Sequence, residues 1–196
     1  MGDNVRKIVA VASSTGGPRA LQTLVSSLPG DLGVPVLIVQ HMPAGFTEAL
    51  ANRLDSISPL KVVEAADGEP VLVNQVYLAR GGKHMNVEYR GGRHVIRYSD
   101  EPNREGVKPC ANYMYESLIN CMYSDVVCAV LTGMGADGTE GIGKLIRQKK
   151  VYVIAQNAES CAVFGMPKAA ITAGIVDKEL TLNLIANEIT MKVRQR

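Results

Sequence analysis

Three polar turns in this sequence carry side chains that together could perform nucleophilic catalysis. Ser13 and Ser14 share a small-residue turn, His41 ends an apolar run, and Asp137 lies in a glycine-rich loop. A serine hydroxyl becomes an effective nucleophile when a base within hydrogen-bonding distance takes its proton. A carboxylate can hold that base in orientation. These residue types therefore suggest acyl transfer, with a serine as nucleophile, His41 as base and Asp137 as the orienting acid.

Each of these turns follows a run typical of a strand buried on both faces. The runs at residues 8–12, 34–40 and 126–131 are short, apolar and rich in β-branched side chains. Helical periodicity follows each run, and after the first it reads Leu21, Leu24, Val25 and Leu28. Alternating strands and helices predict an α/β fold with right-handed crossovers.

The rest of the chain predicts further strands and helices within one domain spanning residues 1–196. Residues 87–98 predict a hairpin about Gly91 and Gly92. The other expected elements are strands at 61–66, 70–73, 75–80 and 151–155, and helices over 113–122, 142–148 and 182–193.

The expected topology brings the three polar turns together. Ligands of open α/β sheets bind beyond the carboxyl ends of the strands, where these turns should meet. Each turn also has a structural interpretation, as a tight connection, an isolated histidine or a flexible loop. A phosphate cradle after the first strand is a further alternative, although the turn lacks both the G-x-G-x-x-G pattern and a P-loop lysine. The coincidence of all three turns favours a hydrolytic site.

Other residues have weaker claims to a role in the site. The backbone N–H groups of Thr15 and Gly16, at the start of a helix, could stabilise an oxyanion. His84 could contact substrate, although an exposed histidine without a role is the alternative, and His94 is expected to be exposed. No histidine pair has metal-ligand spacing, so we predict neither a metal nor another cofactor.

Composition narrows the class of protein. The net charge is +2 and the pI is 8.3, without a Lys/Arg-rich tract, so we expect no nucleic-acid partner. No apolar run approaches the roughly 20 residues that span a bilayer, and the start from Met1 to Lys7 is polar. The four cysteines have no CxxC spacing, which favours buried or isolated thiols. These features predict a cytoplasmic protein without membrane insertion.

Five motifs resemble the catalytic domain of the chemotaxis protein-glutamate methylesterase (CheB) family. They occur in order between residue 8 and about residue 175 and are together highly specific. The motifs are Ala12-Ser13-Ser14-Thr15-Gly16-Gly17, Gln40-His41-Met42-Pro43-Ala44-Gly45-Phe46-Thr47, Gly82-Lys83-His84-Met85, Leu131-Thr132-Gly133-Met134-Gly135-Ala136-Asp137-Gly138, and Ala155-Gln156-Asn157 through Ser160-Cys161 to Phe164-Gly165-Met166-Pro167.

The resemblance implies a doubly wound, mostly parallel α/β sheet with an antiparallel hairpin at one edge. It also implies Ser14 as nucleophile, because the family's serine directly precedes Thr-Gly-Gly, and the Met134 backbone N–H as an oxyanion donor. His41 and Asp137 match the family's base and acid. The implied substrate is a methylated glutamate on the cytoplasmic helical bundle of a chemoreceptor, and some members also deamidate receptor glutamines.

The sequence also departs from the family pattern. Family members commonly carry an N-terminal receiver domain, which we do not expect in this chain, so a separate regulatory partner is one expectation. Residues 108–112 read Lys-Pro-Cys-Ala-Asn where the family usually has Arg-Pro-Ser-Val-Asp. This change puts substrate recognition or loop anchoring in question. A non-catalytic chemosensory binding module, an esterase with a non-chemotaxis substrate and a nucleotide-binding domain remain alternatives.

Overall fold

A parallel sheet forms the centre of the protein in a computed structural model that describes residues 6–195. The strands are β1 (Lys7–Ser13), β2 (Val36–Gln40), β3 (Lys61–Glu64), β4 (Gln75–Leu78), β5 (His84–Arg90), β6 (Arg93–Ser99), β7 (Asp125–Val130), β8 (Lys150–Gln156) and β9 (Lys178–Leu180). In the sheet, the strand order is β3, β4, β2, β1, β7, β8 and β9, and every neighbouring pair is parallel. Strands β5 and β6 form a separate antiparallel hairpin.

Helices cover both faces of the sheet. They are α1 (Gly17–Ser27), α2 (Thr47–Asp55), α3 (Ala111–Ser117), α4 (Thr139–Ile146), α5 (Met166–Thr172) and α6 (Leu182–Arg194). Side chains of α1, α2 and α6 join one apolar core, and those of α3, α4, α5 and the hairpin join the other. Strand β1 contributes alternate side chains to the two cores, Val9 to one and Ala10 to the other. This double burial explains its uninterrupted apolar sequence.

The doubly wound α/β fold with an antiparallel hairpin is confirmed, and some local predictions are wrong. Residues 70–73 form no strand, and only a single bridge joins Pro70 to Val95. The helix expected over 113–122 ends at Ser117, whose hydroxyl donates to the Met114 carbonyl at 2.7 Å. Such a side-chain bond competes with the helical pattern, and a 3₁₀ turn follows. The short strand β9 was not expected.

The predictions for the chain termini are only partly open to test. The polar start from Met1 to Val5 and residue 196 lie outside the described residues. Within residues 6–195, no helix combines the length and apolar character needed to cross a membrane.

Candidate active site

The carboxyl ends of three adjacent strands bring Ser14, His41 and Asp137 to one edge of the sheet. β1 lies between β2 and β7, and Ser14 and His41 directly follow β1 and β2. The backbone N–H of His41 donates to the Ser13 carbonyl at 3.1 Å, and that of Ser14 donates to the Thr132 carbonyl at 3.0 Å. Backbone hydrogen bonds therefore join the ends of all three strands.

His41 and Asp137 form a short, buried hydrogen bond. The His41 Nε2 atom lies 2.6 Å from Asp137 Oδ2, and the two side chains are 9% and 2% exposed. Burial acts to raise the pKa of Asp137, but hydrogen bonds from His41, Cys110 and the backbone outweigh it and hold that pKa below its ordinary value. Since the resulting carboxylate only accepts hydrogen bonds, His41 Nε2 carries the proton. Nδ1 is then the ring nitrogen that can act as a base.

Ser14 is half-buried beside a close approach of the β7 loop. A Cβ atom added at Gly133 would lie 2.7 Å from the Ser14 Cβ, so this position requires glycine. Within residues 6–195, the Ser14 hydroxyl makes no hydrogen bond to another group. Catalytic hydrogen bonds often form only when substrate is bound, so Ser14 remains a candidate nucleophile.

Backbone N–H groups around Ser14 are available to an oxyanion. Those of Thr15, Gly16 and Met134 have no hydrogen-bond partner within residues 6–195. Gly16 precedes α1 with a φ of 80°, a left-handed conformation that suits glycine. Met134 is 69% exposed on the loop that follows β7. This arrangement offers N–H donors from two different loops.

Two buried polar side chains that the sequence reading did not single out fix the geometry of these turns. Gln40 donates to the Ser14 carbonyl at 2.9 Å and the His41 carbonyl at 3.2 Å, and accepts from the Ser13 hydroxyl at 2.7 Å. The Thr132 hydroxyl donates to the Thr15 carbonyl at 2.9 Å. For both Gln40 and Thr132, the sequence signal was a polar residue at the end of an otherwise apolar strand.

The exposure considered for His84 and expected for His94 is wrong. His84 is fully buried, so it is not an exposed histidine, and its contact with substrate stays a prediction. Its Nδ1 atom accepts from the Cys110 N–H and its Nε2 atom lies 3.2 Å from the Pro102 carbonyl, which defines a neutral ring protonated on Nε2. Burial lowers the pKa of His84. His94 is 1% exposed and stacks on the Tyr123 ring with centroids 3.9 Å apart.

The unusual segment at residues 108–112 binds the carboxylate of Asp137. The Ala111 N–H donates to Oδ2 at 2.6 Å, and the Asn112 N–H and the Cys110 thiol donate to Oδ1 at 2.9 and 3.0 Å. In return, the Asn112 side chain accepts from the backbone N–H groups of Gly138 and Gly141 at 3.1 and 2.7 Å. The changed segment thus anchors the loop that carries the candidate acid.

Two grooves border the site and could receive a peptide segment. The groove beside His41 has a volume of about 460 Å³. The groove beside His41 is lined by Met42, Pro43, Gly82 and residues of the 103–108 loop. Another, of about 410 Å³, extends from Gly16 past Thr132. Among residues 6–195, no group of three or more His, Cys, Asp or Glu side chains could hold a metal ion.

The fold and site define a class of protein: a doubly wound α/β domain with a candidate serine, histidine and aspartate at adjacent strand ends. A model of the CheB methylesterase family matches residues 9–189, and the chain belongs to this family. The crystal structure of the Thermotoga maritima CheB methylesterase catalytic domain is similar, with a TM-score of 0.91 and 39% identity over 95% of this chain and 98% of that one.

Curated relatives carry the name protein-glutamate methylesterase/protein-glutamine glutaminase. The protein from Geobacillus kaustophilus is 45% identical over 95% of this chain and 53% of its own length. The protein from Bacillus subtilis is 44% identical over 97% of this chain and 53% of its own length. The chain thus spans about half the length of the curated relatives it matches.

Proposed function

We propose that this chain hydrolyses methyl esters of glutamate side chains in a protein substrate, with Ser14 as nucleophile. The observation that carries the proposal is the 2.6 Å bond between His41 and the buried Asp137 carboxylate, beside the Ser14 turn. Family membership and the name of the relatives support the choice of ester.

In the proposed reaction, the Ser14 Oγ atom attacks the ester carbonyl carbon while His41 Nδ1 takes its proton. N–H groups of Thr15, Gly16 and Met134 stabilise the oxyanion, and Asp137 stabilises the imidazolium. The imidazolium then donates the proton to the departing methoxide, which leaves as methanol. Water, deprotonated by His41, attacks the resulting glutamyl ester, releasing the glutamate carboxylate and restoring the Ser14 hydroxyl.

The proposed substrate is a methylated glutamate on the cytoplasmic domain of a chemoreceptor, which places the chain in the cytoplasm. Grooves on both sides of the Ser14 turn give a protein segment room to lie across the site. A separate regulatory partner is part of the same proposal.

Glutamine deamidation is a second candidate function, favoured by the second half of the relatives' name. The same steps apply to a side-chain amide, except that His41 protonates the departing nitrogen and ammonia leaves. An amide is less reactive than an ester, so deamidation depends more strongly on protonation of the leaving group.

The test is methanol release from a methylated chemoreceptor fragment, with ammonia release from the matching glutamine fragment measured in parallel. We expect methanol from the wild type and none above background from Ser14→Ala. Ser26→Ala is the matched control, because Ser26 is exposed on α1 and its hydroxyl donates to the Thr23 carbonyl, away from the site. Equal methanol release by wild type and Ser14→Ala would contradict the proposal.

A further inference from the structure

The Asp137 carboxylate is saturated with hydrogen bonds, and one of its donors is a thiol. Oδ2 bonds His41 and the Ala111 N–H, while Oδ1 bonds the Asn112 N–H and the Cys110 thiol. The Cys110 side chain is fully buried. This thiol is therefore part of the immediate surroundings of the candidate acid.

The contact of Cys110 differs from the other thiol contacts in residues 6–195. The Cys110 Sγ atom lies 3.0 Å from a carboxylate oxygen. The thiols of Cys121 and Cys161 instead bond backbone carbonyls at 3.4 to 3.8 Å. Hydrogen bonds to charged acceptors are stronger than those to neutral ones, so the short contact has an energetic basis.

The protonation state of Cys110 suits a donor. Burial and the neighbouring Asp137 charge raise the pKa of the Cys110 thiol to about 12. The sulfur therefore keeps its proton at neutral pH. The Cys110 backbone is itself fixed, because its N–H donates to His84 Nδ1 at 3.2 Å.

We propose that Cys110 is a positioning residue that holds the Asp137 carboxylate in the orientation that bonds His41. Without the thiol, Oδ1 keeps only the Asn112 N–H as a donor, and the carboxylate can rotate away from the imidazole. Cys110 touches no substrate in this proposal and acts only through Asp137. The expected effect of Cys110 on turnover rests on the proposed function, whereas its expected effect on the hydrogen bonds of Asp137 does not.

The activity test compares Cys110→Ala with Cys110→Ser. We expect Cys110→Ala to lower kcat roughly three- to tenfold without changing KM, since one hydrogen bond to a charged acceptor is lost. Cys110→Ser should restore kcat, because a hydroxyl supplies the same donor. Cys121→Ala is the matched control for loss of a buried thiol and should leave kcat unchanged. Equal kcat in Cys110→Ala and wild type would overturn the proposal.

Two spectroscopic measurements test the proposal without relying on turnover. The S–H stretching band of Cys110, identified by difference from Cys110→Ser, should move to higher frequency in Asp137→Asn. In proton NMR spectra, the resonance of the His41 imidazole N–H should move upfield in Cys110→Ala and should return to its wild-type position in Cys110→Ser. An S–H band that does not respond to Asp137→Asn overturns the proposal even if Cys110→Ala does not fold. Shifts in both signals without methanol release would instead count against the proposed function alone.

Discussion

Replacing Gly133 with alanine should displace the candidate nucleophile. The added Cβ atom would lie 2.7 Å from the Ser14 Cβ and 3.0 Å from the Ser14 N, and would also contact the Met166 sulfur. The two Cβ atoms must move apart by about 0.7 Å to reach ordinary contact at 3.4 Å. Since a misplacement of about 1 Å can cost about 100-fold in rate, we expect kcat to fall roughly 30- to 100-fold.

The assay is methanol release at saturating substrate, with circular dichroism and thermal melting as checks on folding. Gly143→Ala is the matched control, because a Cβ atom at this α4 position meets nothing within 4 Å. It should keep full activity and gain up to about 1 kcal/mol of stability from helix propensity. A folded Gly133→Ala variant with kcat within about threefold of wild type would refute the steric reasoning.

Three further predictions follow from the buried polar groups. Asp137→Asn should keep the fold but lower kcat for methanol release by about 10³- to 10⁴-fold, which is the size of the effect in serine-protease triads. A loss of less than about tenfold would exclude Asp137 as the orienting acid. Gln40→Leu should lower the free energy of unfolding by about 2 kcal/mol in urea titrations, because it leaves the Ser13 hydroxyl and the His41 carbonyl without a partner, while the Ser14 carbonyl keeps the Gly17 N–H; an unchanged midpoint would contradict this. Because the pKa of His84 is lowered in the folded protein, the unfolded chain binds the His84 proton more readily, and the free energy of unfolding should fall as the pH drops below about 6.5. Urea unfolding should show a smaller fall in His84→Gln, and an equal fall would contradict the assignment of this pH dependence to His84.

The sequence predicted the elements whose patterns are local. β1 and β2 are buried on both faces and read as apolar runs, and the hairpin turn at Gly91 and Gly92 is marked by its glycines. The rule that strand ends converge then predicted that a serine of the first turn would meet His41 and Asp137, and the family resemblance selected Ser14 over Ser13. β9 has only three residues, two of them exposed, so its sequence carries no strand pattern.

The burial of His84 and the role of Cys110 could not be predicted from local patterns. The buried His84 ring accepts a hydrogen bond from the backbone N–H of Cys110, which lies 26 residues away in the chain. The contact between Cys110 and Asp137 spans 27 residues. The unusual residues at 108–112 marked the segment as different, but only the fold shows that it anchors the Asp137 loop.

The central claim is that Ser14 forms a covalent bond with the substrate glutamate. The most direct measurement is rapid acid quenching during turnover of a methylated chemoreceptor fragment, followed by mass spectrometry of the Ser14 peptide. We predict a substrate ester on Ser14 that forms as methanol is released and is absent in Ser14→Ala. Methanol release at the wild-type rate by Ser14→Ala, with no ester on the wild-type enzyme, would contradict the account.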